Sequence, residues 1–303
     1  MSSALANQLA QPVVPSAGAE AAAPEPVTVL ARVVRNPSAL IGTVVVATVL
    51  GAALLSLVWA PYGPATLSSH VLAGPSLAHP LGTDEYGRDV LSRLMAGARV
   101  TLYSGVFAVV VASLVGVPAG LAAAELSGLA GESIMRAADL LFAFPALLAA
   151  VTLAAALGSS TTTAMLAIGI ASVPYFARVT RGAALGVLGT EYVLAARAYG
   201  RSRMAIVRKH VLPNIAPLLL VQTSLLFSVA ILAGAALSYL GLGTPPPSSA
   251  WGLMLEDAQH NFLATDPLLS LWPTLAIAIT ILGFNLLGDG LRDVLDPKLR
   301  ARS

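Results

Sequence analysis

Residues Glu191 to Asn214 read EYVLAARAYGRSRMAIVRKHVLPN and form the longest polar, arginine-rich segment between two strongly apolar regions of the chain. The alanine-rich first half favours helix, Gly200 can supply the left-handed residue that ends it, and Ser202 can cap a second helix. Pro213 is expected to stop that second helix. The pattern predicts a helical hairpin, which must project into water because apolar spans flank it. We interpret this hairpin as a docking element for another protein.

The composition sets the class of protein. Of the 303 residues, 56% are hydrophobic and 11% are charged, whereas a soluble domain has about 25% charged residues. A membrane protein is therefore predicted. The net charge of +2 comes mostly from two arginine clusters, so it does not indicate nucleic-acid binding. The chain has no cysteine, which excludes disulfides and cysteine metal sites.

Six apolar runs are candidates to cross a bilayer, whose hydrocarbon core needs about 20 residues of helix. The predicted spans are Ala39 to Val58, Val100 to Ala124, Leu140 to Leu157, Thr162 to Ala177, Leu218 to Leu240 and Leu268 to Leu287. The fourth is the shortest and is interrupted by Pro174. Pro118, Pro145 and Pro273 are expected to kink their helices without ending them, because neighbouring helices can satisfy the freed carbonyls.

The predicted organisation begins with a disordered tail at residues 1–28, which lacks the basic segment and apolar core of a signal peptide. The first transmembrane helix lies within 29–60, and 61–99 form an external loop. Residues 100–290 form a core of five spans that includes the hairpin region at 178–215, and 291–303 form a C-terminal tail. With the N-terminus in the cytoplasm, 14 of the 17 basic residues lie inside. The positive-inside rule therefore places the hairpin and both termini in the cytoplasm.

The first external loop contains LGTDEYGRDVLSRLMAGAR, Leu81 to Arg99. Its apolar residues keep helical spacing after Thr83 or Asp84, which can act as a cap, while the polar residues Arg88 and Arg93 fall on the other side. This pattern predicts an amphipathic helix on the outer membrane surface. The helix is either a lip of an external gate and docking face or an elbow that anchors the second span.

A second external segment, Gly241 to Asp266, has no Lys or Arg and carries several acids. These acids can meet an ammonium group of a substrate or a basic patch on a delivery protein, or they are the solvated half of the loop. The candidate residues of the external mouth are Asp84, Arg88, Asp89, Trp251, Glu256 and Asp257.

Catalytic and metal-binding motifs are absent from the sequence. Lys209 and Lys298 are the only lysines, and neither completes a GxxxxGK[ST] phosphate loop. The four histidines have no metal-ligand spacing, and there is no GxSxG. Arg136 and Asp139 share a helix face and are expected to form an interfacial ion pair. The chain is thus predicted to be no enzyme by itself and to bind no cofactor or metal.

The hairpin and several further strings resemble a known family. In the hairpin, two alanines precede a glycine by four residues, and Leu-Pro follows that glycine twelve residues later. The other strings are LGTDEYGRDVLSRLMAGAR, MRAADLLFAFPALL at Met135 to Leu148, KHVLPN at Lys209 to Asn214, ALSYLGLGTPPPSSAWGLML at Ala236 to Leu255 and FNLLGDGLRDVLDPKL at Phe284 to Leu299. Together they resemble the second permease subunit of the dipeptide, oligopeptide and nickel importers of the ATP-binding-cassette (ABC) class.

This resemblance implies an all-α, type I importer permease with about six transmembrane helices in a bacterial inner membrane. Its partners would be a second homologous permease, one or two ATPase subunits that use ATP and Mg²⁺, and an extracytoplasmic substrate-binding protein. The hairpin would couple pore and ATPase. The coupling residues would be Glu191, Leu194, Ala195, Ala196, Gly200, Arg201, Arg203, His210, Leu212 and Pro213. Leu194 departs from the family pattern, which has glutamate there.

Several alternatives stay open at this stage. The favoured substrate is a dipeptide or oligopeptide, with a glutathione-like peptide or a nickel chelate as alternatives within the same family. An ion-coupled secondary transporter would want carboxylates or broken helices at mid-membrane, and the sequence offers little of either. An intramembrane hydrolase would need a paired nucleophile and base, and none is visible.

Overall fold

The computed structural model describes residues 29–126, 128–261 and 267–295 and is almost entirely helical in these ranges. The helices are α1 (Val29–Arg35), α2 (Pro37–Val58), α3 (Val90–Glu125), α4 (Leu129–Ala143), α5 (Ala146–Leu157), α6 (Thr161–Leu188), α7 (Glu191–Ala198), α8 (Arg203–Ile206), α9 (Leu212–Tyr239), α10 (Trp251–Asn261) and α11 (Leu268–Leu295). A short π-helical segment, Val207–Val211, joins α8 to α9. The tail predicted at 1–28 lies outside the described residues. Of the tail predicted at 291–303, residues 291–295 continue α11 and the rest lies outside the described residues.

Five helices are long and apolar enough to cross a membrane: α2, α3, α6, the continuous helix Arg203–Tyr239, and α11. The pair α4 and α5 makes a sixth pass when it is counted as one broken span, bent by 83°. Chain direction supports this count. Helices α3 and α6 run parallel, so the chain between the end of α3 and the start of α6 must return across the bundle. The structure thus has five to six candidate spans within its described residues, in agreement with the prediction of about six.

The third predicted span, Leu140 to Leu157, departs from expectation. Pro145 does not merely kink a continuous helix, because α4 ends at Ala143 and α5 begins at Ala146. Phe144, which precedes the proline, has φ −83° and ψ 126°. Steric clash with a following proline ring pushes a residue into this extended region. By contrast, Pro118, Pro174 and Pro273 all lie inside helices, as predicted for spans.

The surface helix predicted over Leu81 to Arg99 is not a separate element. The chain is irregular up to Asp89, and α3 then runs for 36 residues from Val90, or roughly 54 Å at 1.5 Å per residue. The cap is Asp89, whose carboxylate accepts a hydrogen bond from Ser92 N, and it is neither Thr83 nor Asp84. The second half of the predicted surface helix is thus the first part of the second span.

Small residues let α3 and α6 pack closely. A Cβ atom on Gly116 would lie 2.6 Å from Phe176 Cβ, and one on Gly120 would lie 2.5 Å from the Ala177 carbonyl oxygen. Side chains at either position would force the two helices apart. This confirms close helix packing as the role of the small-xxx-small pattern in the second span.

The two ends of the bundle can be told apart from the helix directions. Helices α9 and α11 are antiparallel, since Ser228 Oγ donates to Ile281 O and Gly288 lies against Ser224. Helices α2 and α11 are antiparallel as well, and Asn36 Nδ2 lies 3.1 Å from Asp293 Oδ2. The start of α2 and the end of α11 therefore lie at the end that also carries α7 and α8. We call this the hairpin end.

Candidate functional site

The hairpin, residues 191–214, has the predicted helix-turn-helix form. Helix α7 covers Glu191–Ala198, and Gly200 follows with a φ of +77°. Only glycine adopts this left-handed region without strain, so the residue type is set by the turn. Ser202 then caps α8, its hydroxyl accepting from Ala205 N at 3.4 Å. The role assigned to each of these residues from the sequence is thus confirmed.

Pro213 does not end the second helix, contrary to expectation. The helix continues as one apolar unit over Arg203–Tyr239. Its turn before the proline widens into the π-helical segment Val207–Val211, in which Leu212 N donates to Val207 O. Asn214 Nδ2 also donates to His210 O at 2.6 Å. The wider turn and this side-chain bond accommodate a residue that cannot donate a backbone N–H. The hairpin's second arm is therefore rigidly continuous with a membrane span.

A small apolar core fixes the hairpin to the bundle. The buried residues are Ala184 and Leu188 of α6, Val193 of α7, and Ile206, Val211 and Ile215 of the second arm. Val193 and Ile206 have no exposed surface at all. Burying side chains of this size contributes about 1.5–3 kcal/mol each. Any force applied to α7 is thus passed to α6 and α9 through packed side chains.

Polar contacts add two further links. Arg197 Nη2 lies 3.1 Å from both carboxylate oxygens of Glu125, the last residue of α3. The Tyr192 hydroxyl accepts from Asn214 Nδ2 at 3.3 Å, and its ring lies 5.9 Å from that of His210. The sequence did not single out Arg197 or Glu125, because 72 residues separate them. Three spans, α3, α6 and α9, are consequently tied to one hairpin.

The remaining surface of the hairpin is uncovered and combines apolar and basic groups. Tyr199 is 90% exposed, Met204 67% and Leu194 52%. Most of the predicted coupling residues are exposed, namely Glu191, Leu194, Ala195, Gly200, Arg201, Arg203, Leu212 and Pro213, while Ala196 and His210 are half-buried. Exposed large apolar residues that project from a bundle typically mark a protein interaction site.

The opposite end of the bundle holds a charged cluster of the buried residues Asp84, Arg88 and Arg93 and the half-buried Asp257. Asp84 Oδ2 lies 2.6 Å from Arg88 Nε and 2.5 Å from Arg93 Nη1. Asp257 Oδ2, on α10, lies 3.0 Å from Arg93 Nη2 and 3.4 Å from Arg88 Nη2. The two arginines and two carboxylates balance in charge. The cluster therefore ties the loop before α3, the start of α3 and α10 into one unit.

Arg93 is the main surprise of this cluster. The pattern placed it on the polar outer side of a surface helix, yet it is only 2% exposed. Asp89 is also buried and makes a separate contact, in which its carboxylate lies 2.9 Å from Nδ1 of His79 in the loop before α3. Burial of charged groups is tolerated only when partners are present, and here one partner is the predicted cap Asp84 while the other, Asp257, comes from α10.

The other candidate residues of the external mouth differ in exposure. Trp251 is buried, and its Nε1 donates to the Leu94 carbonyl at 3.0 Å, so it packs α10 against α3. Glu256 is half-buried. Glu85, beside the cluster, has its pKa raised from 4.5 by burial and by the nearby charges of Asp257 and Asp84. Trp251, Asp84, Arg88 and Asp89 thus lie beneath the surface of this end.

The interfacial ion pair predicted within α4 has a different partner. Asp139 pairs with Arg178 of α6 at 2.8 Å, and both side chains are exposed. Arg136 is not the partner of Asp139. The three-residue spacing put both groups on one helix face, but α6 brings a second arginine closer to the carboxylate. No group of His, Asp and Glu side chains within the described residues could hold a metal ion.

These features define a polytopic helical membrane protein with an exposed helical hairpin at one end. The fold is similar to the permease chain in inward-facing structures of the MetNI methionine ABC transporter. In two crystal forms the TM-scores are 0.55 and 0.56 at 19% identity, covering 67% of this chain and 96% and 97% of those chains. The likeness establishes the fold of a type I ABC importer permease.

Sequence comparison identifies the family. Residues 116–301 match the binding-protein-dependent transport system inner membrane component, and the chain belongs to this family. It is 42% identical over 228 residues to the glutathione transport system permease protein GsiD of Pectobacterium atrosepticum, covering 75% of each chain. It is 38% identical over 268 residues to the dipeptide transport system permease protein DppC of Alkalihalophilus pseudofirmus, covering 88% of each chain. The resemblance drawn from the sequence is confirmed.

Proposed function

We propose that this chain forms half of the translocation pore of an ATP-driven peptide importer. Membership of the binding-protein-dependent transport family indicates a role in transport, and its relatives are named for glutathione and dipeptide transport. Both of these substrates are short peptides. A peptide is therefore the substrate class best supported, and the individual peptide would be selected largely by a separate binding protein.

The hairpin is the feature that supports coupling to an ATPase. It exposes apolar and basic groups on one side and packs on α3, α6 and α9 on the other. ATP and Mg²⁺ would be used by one or two partner ATPase subunits that receive this surface. Closure of the ATPase subunits would move the hairpin, and the packed spans would follow it between two arrangements of the pore.

Leu194 indicates which kind of ATPase surface would face the hairpin. An exposed leucine where the family has glutamate would meet an apolar surface of the ATPase groove and not a basic side chain. The neighbouring exposed groups Tyr199 and Met204 are consistent with such a surface. Coupling would therefore rest on apolar contact, with Arg201 and Arg203 adding charge complementarity.

The orientation follows from the charge distribution. The positive-inside rule places the hairpin in the cytoplasm, and both the start of α2 and the end of α11 lie at the same end as the hairpin. The N- and C-termini would therefore be cytoplasmic. The charged cluster would then brace α10 at the external mouth, beneath the surface that receives the substrate-binding protein and a second permease subunit.

Copurification and reconstituted uptake test this proposal. The chain would be tagged, extracted gently and analysed for associated proteins, and the recovered assembly would be reconstituted with labelled dipeptide and glutathione. We expect a second six-span permease, a P-loop ATPase and uptake that requires ATP. Recovery of the chain alone, with uptake that survives ATP depletion, would contradict the proposal and favour an ion-coupled transporter.

A further inference from the structure

A polar pair joins α6 and α9 near the hairpin-side end of both spans. The hydroxyl of Tyr175, halfway along α6, hydrogen-bonds the side-chain carbonyl Oε1 of Gln222 in α9. Gln222 lies four residues inside the predicted span Leu218 to Leu240, because the first part of the helix Arg203–Tyr239 belongs to the hairpin. It is the only charged or amide side chain between Ile215 and Tyr239. A polar residue at this depth is costly unless it faces other polar groups or water.

The pair leaves hydrogen-bonding capacity unused. The Tyr175 hydroxyl bonds to the Gln222 carbonyl oxygen and does not involve the Gln222 Nε2 amide, which keeps its two N–H donors for other partners. The tyrosine oxygen, having donated its proton, retains lone pairs that can accept. Both side chains are half-buried and so are partly open to what lies outside this subunit. In hydrocarbon an unpaired amide N–H group would be strongly unfavourable.

The surroundings of Tyr175 extend this polar face. Phe176 and Ala177 are buried against α3, so Tyr175 faces away from that helix. One turn before it lies the half-buried Ser172, and one turn after it lies the exposed Arg178, paired with Asp139. Helical spacing places these residues along one stripe on the hairpin-side part of α6. A polar stripe of this kind suits a water-filled path between two permease subunits.

We propose that Tyr175 and Gln222 line the translocation path and bind the peptide backbone of the substrate. The Gln222 amide would donate to a substrate carbonyl, and the Tyr175 oxygen would accept from a substrate N–H. One donor and one acceptor match the two polar groups of a peptide unit, and neither carries a charge. The pair can therefore hold peptides of different side chains weakly as they pass. This inference rests on the proposed function as a peptide importer.

Cysteine accessibility tests the placement, because the chain has no cysteine of its own. Gln222→Cys, Tyr175→Cys and the control Leu232→Cys would each be assembled with cysteine-free partner subunits in vesicles. Leu232 lies on the same helix, is exposed from this subunit and is apolar. A membrane-impermeant, charged methanethiosulfonate reagent should modify positions 222 and 175 but not 232, and a transported dipeptide should slow the modification. Modification of 232 alone, or of none of the three, would overturn the placement.

Transport kinetics test the binding role. Gln222→Met keeps the shape of the side chain and removes its hydrogen bonds, and copurification with the partners would show that the variant folds. Loss of one such bond should raise the KM for dipeptide uptake by about tenfold. An unchanged KM would overturn the role. If the wild-type assembly shows no ATP-dependent peptide uptake, the proposed function itself fails. If wild-type uptake is normal and Gln222→Met leaves the KM unchanged, only this inference is refuted.

Discussion

Gly200→Val is expected to weaken the hairpin through its backbone alone. A Cβ atom at this position would have no other atom within 4 Å, so the substitution creates no clash with neighbours. The cost comes from φ +77°, because the left-handed region costs an L-residue about 1–2 kcal/mol, and a β-branched residue lies at the upper end. One to two kcal/mol changes the ratio of closed to open hairpin by a factor of about 5–30.

Gly186→Val provides the matched control. Gly186 lies in α6, has open space at its Cβ position and has no positive φ. Valine is a slightly better helix former than glycine, so this variant should be neutral or slightly stabilised. The two substitutions add the same side-chain atoms, but Gly200 has a positive φ and Gly186 does not.

Limited trypsin digestion of the purified chain measures the open population of the hairpin. Arg201 and Arg203 directly follow the turn and are exposed. Cleavage there tracks the open population when opening is fast compared with cutting. We expect the rate to rise about 5- to 30-fold in Gly200→Val and to stay at the wild-type value in Gly186→Val. Equal rates in the two variants would refute the reasoning, since no positive-φ penalty would then exist at Gly200.

Three further predictions concern other parts of the molecule. Arg93→Met should lower the free energy of unfolding by about 3–5 kcal/mol, because it leaves the buried Asp84 and the half-buried Asp257 with one arginine. Arg178→Ala, which removes one partner of an exposed ion pair, should cost at most about 1 kcal/mol. Thermal unfolding in detergent compares them, and equal losses would contradict the cluster's burial. Leu194→Glu should weaken ATPase binding in copurification, because it sets a charge against the apolar surface proposed to face Leu194, and unchanged or stronger binding would contradict an apolar groove. The raised pKa of Glu85 means that this carboxyl group holds its proton more tightly in the folded state than in the unfolded state. Thermal stability should therefore fall as pH rises above about 4.5 toward the folded-state pKa. Glu85→Gln should reduce this dependence of stability on pH.

The hairpin was predictable because its determinants are local. Alanine-rich helix, a glycine with positive φ and a serine cap each act within a few residues. The spans were predictable for a similar reason, since apolar runs of sufficient length have one stable arrangement in a bilayer. The charged cluster was not predictable, because Asp257 lies 164 residues from Arg93. Only the folded bundle brings α10 against the start of α3.

The prolines show where sequence reasoning reaches its limit. Pro145 ends a helix that was expected to continue, and Pro213 lies in a helix that was expected to end. At Pro145 the preceding residue becomes extended, and at Pro213 a π-helical turn and an asparagine side chain accommodate the missing N–H. The residue type is the same in both cases. Whether a proline ends a helix or is accommodated inside it depends on whether the neighbouring backbone can rearrange. Composition and periodicity do not encode that property.

Site-specific cross-linking from Tyr199 tests the central claim that the hairpin docks on an ATPase. Tyr199→Cys places the only cysteine of the chain at the tip of the hairpin, and Leu77→Cys, in an exposed loop at the opposite end, is the control. With a short thiol cross-linker, the account predicts that position 199 joins a P-loop ATPase subunit with a yield that changes on ATP addition. It predicts no such product from position 77. Absence of an ATPase adduct at position 199, or equal adducts from both positions, would contradict the account.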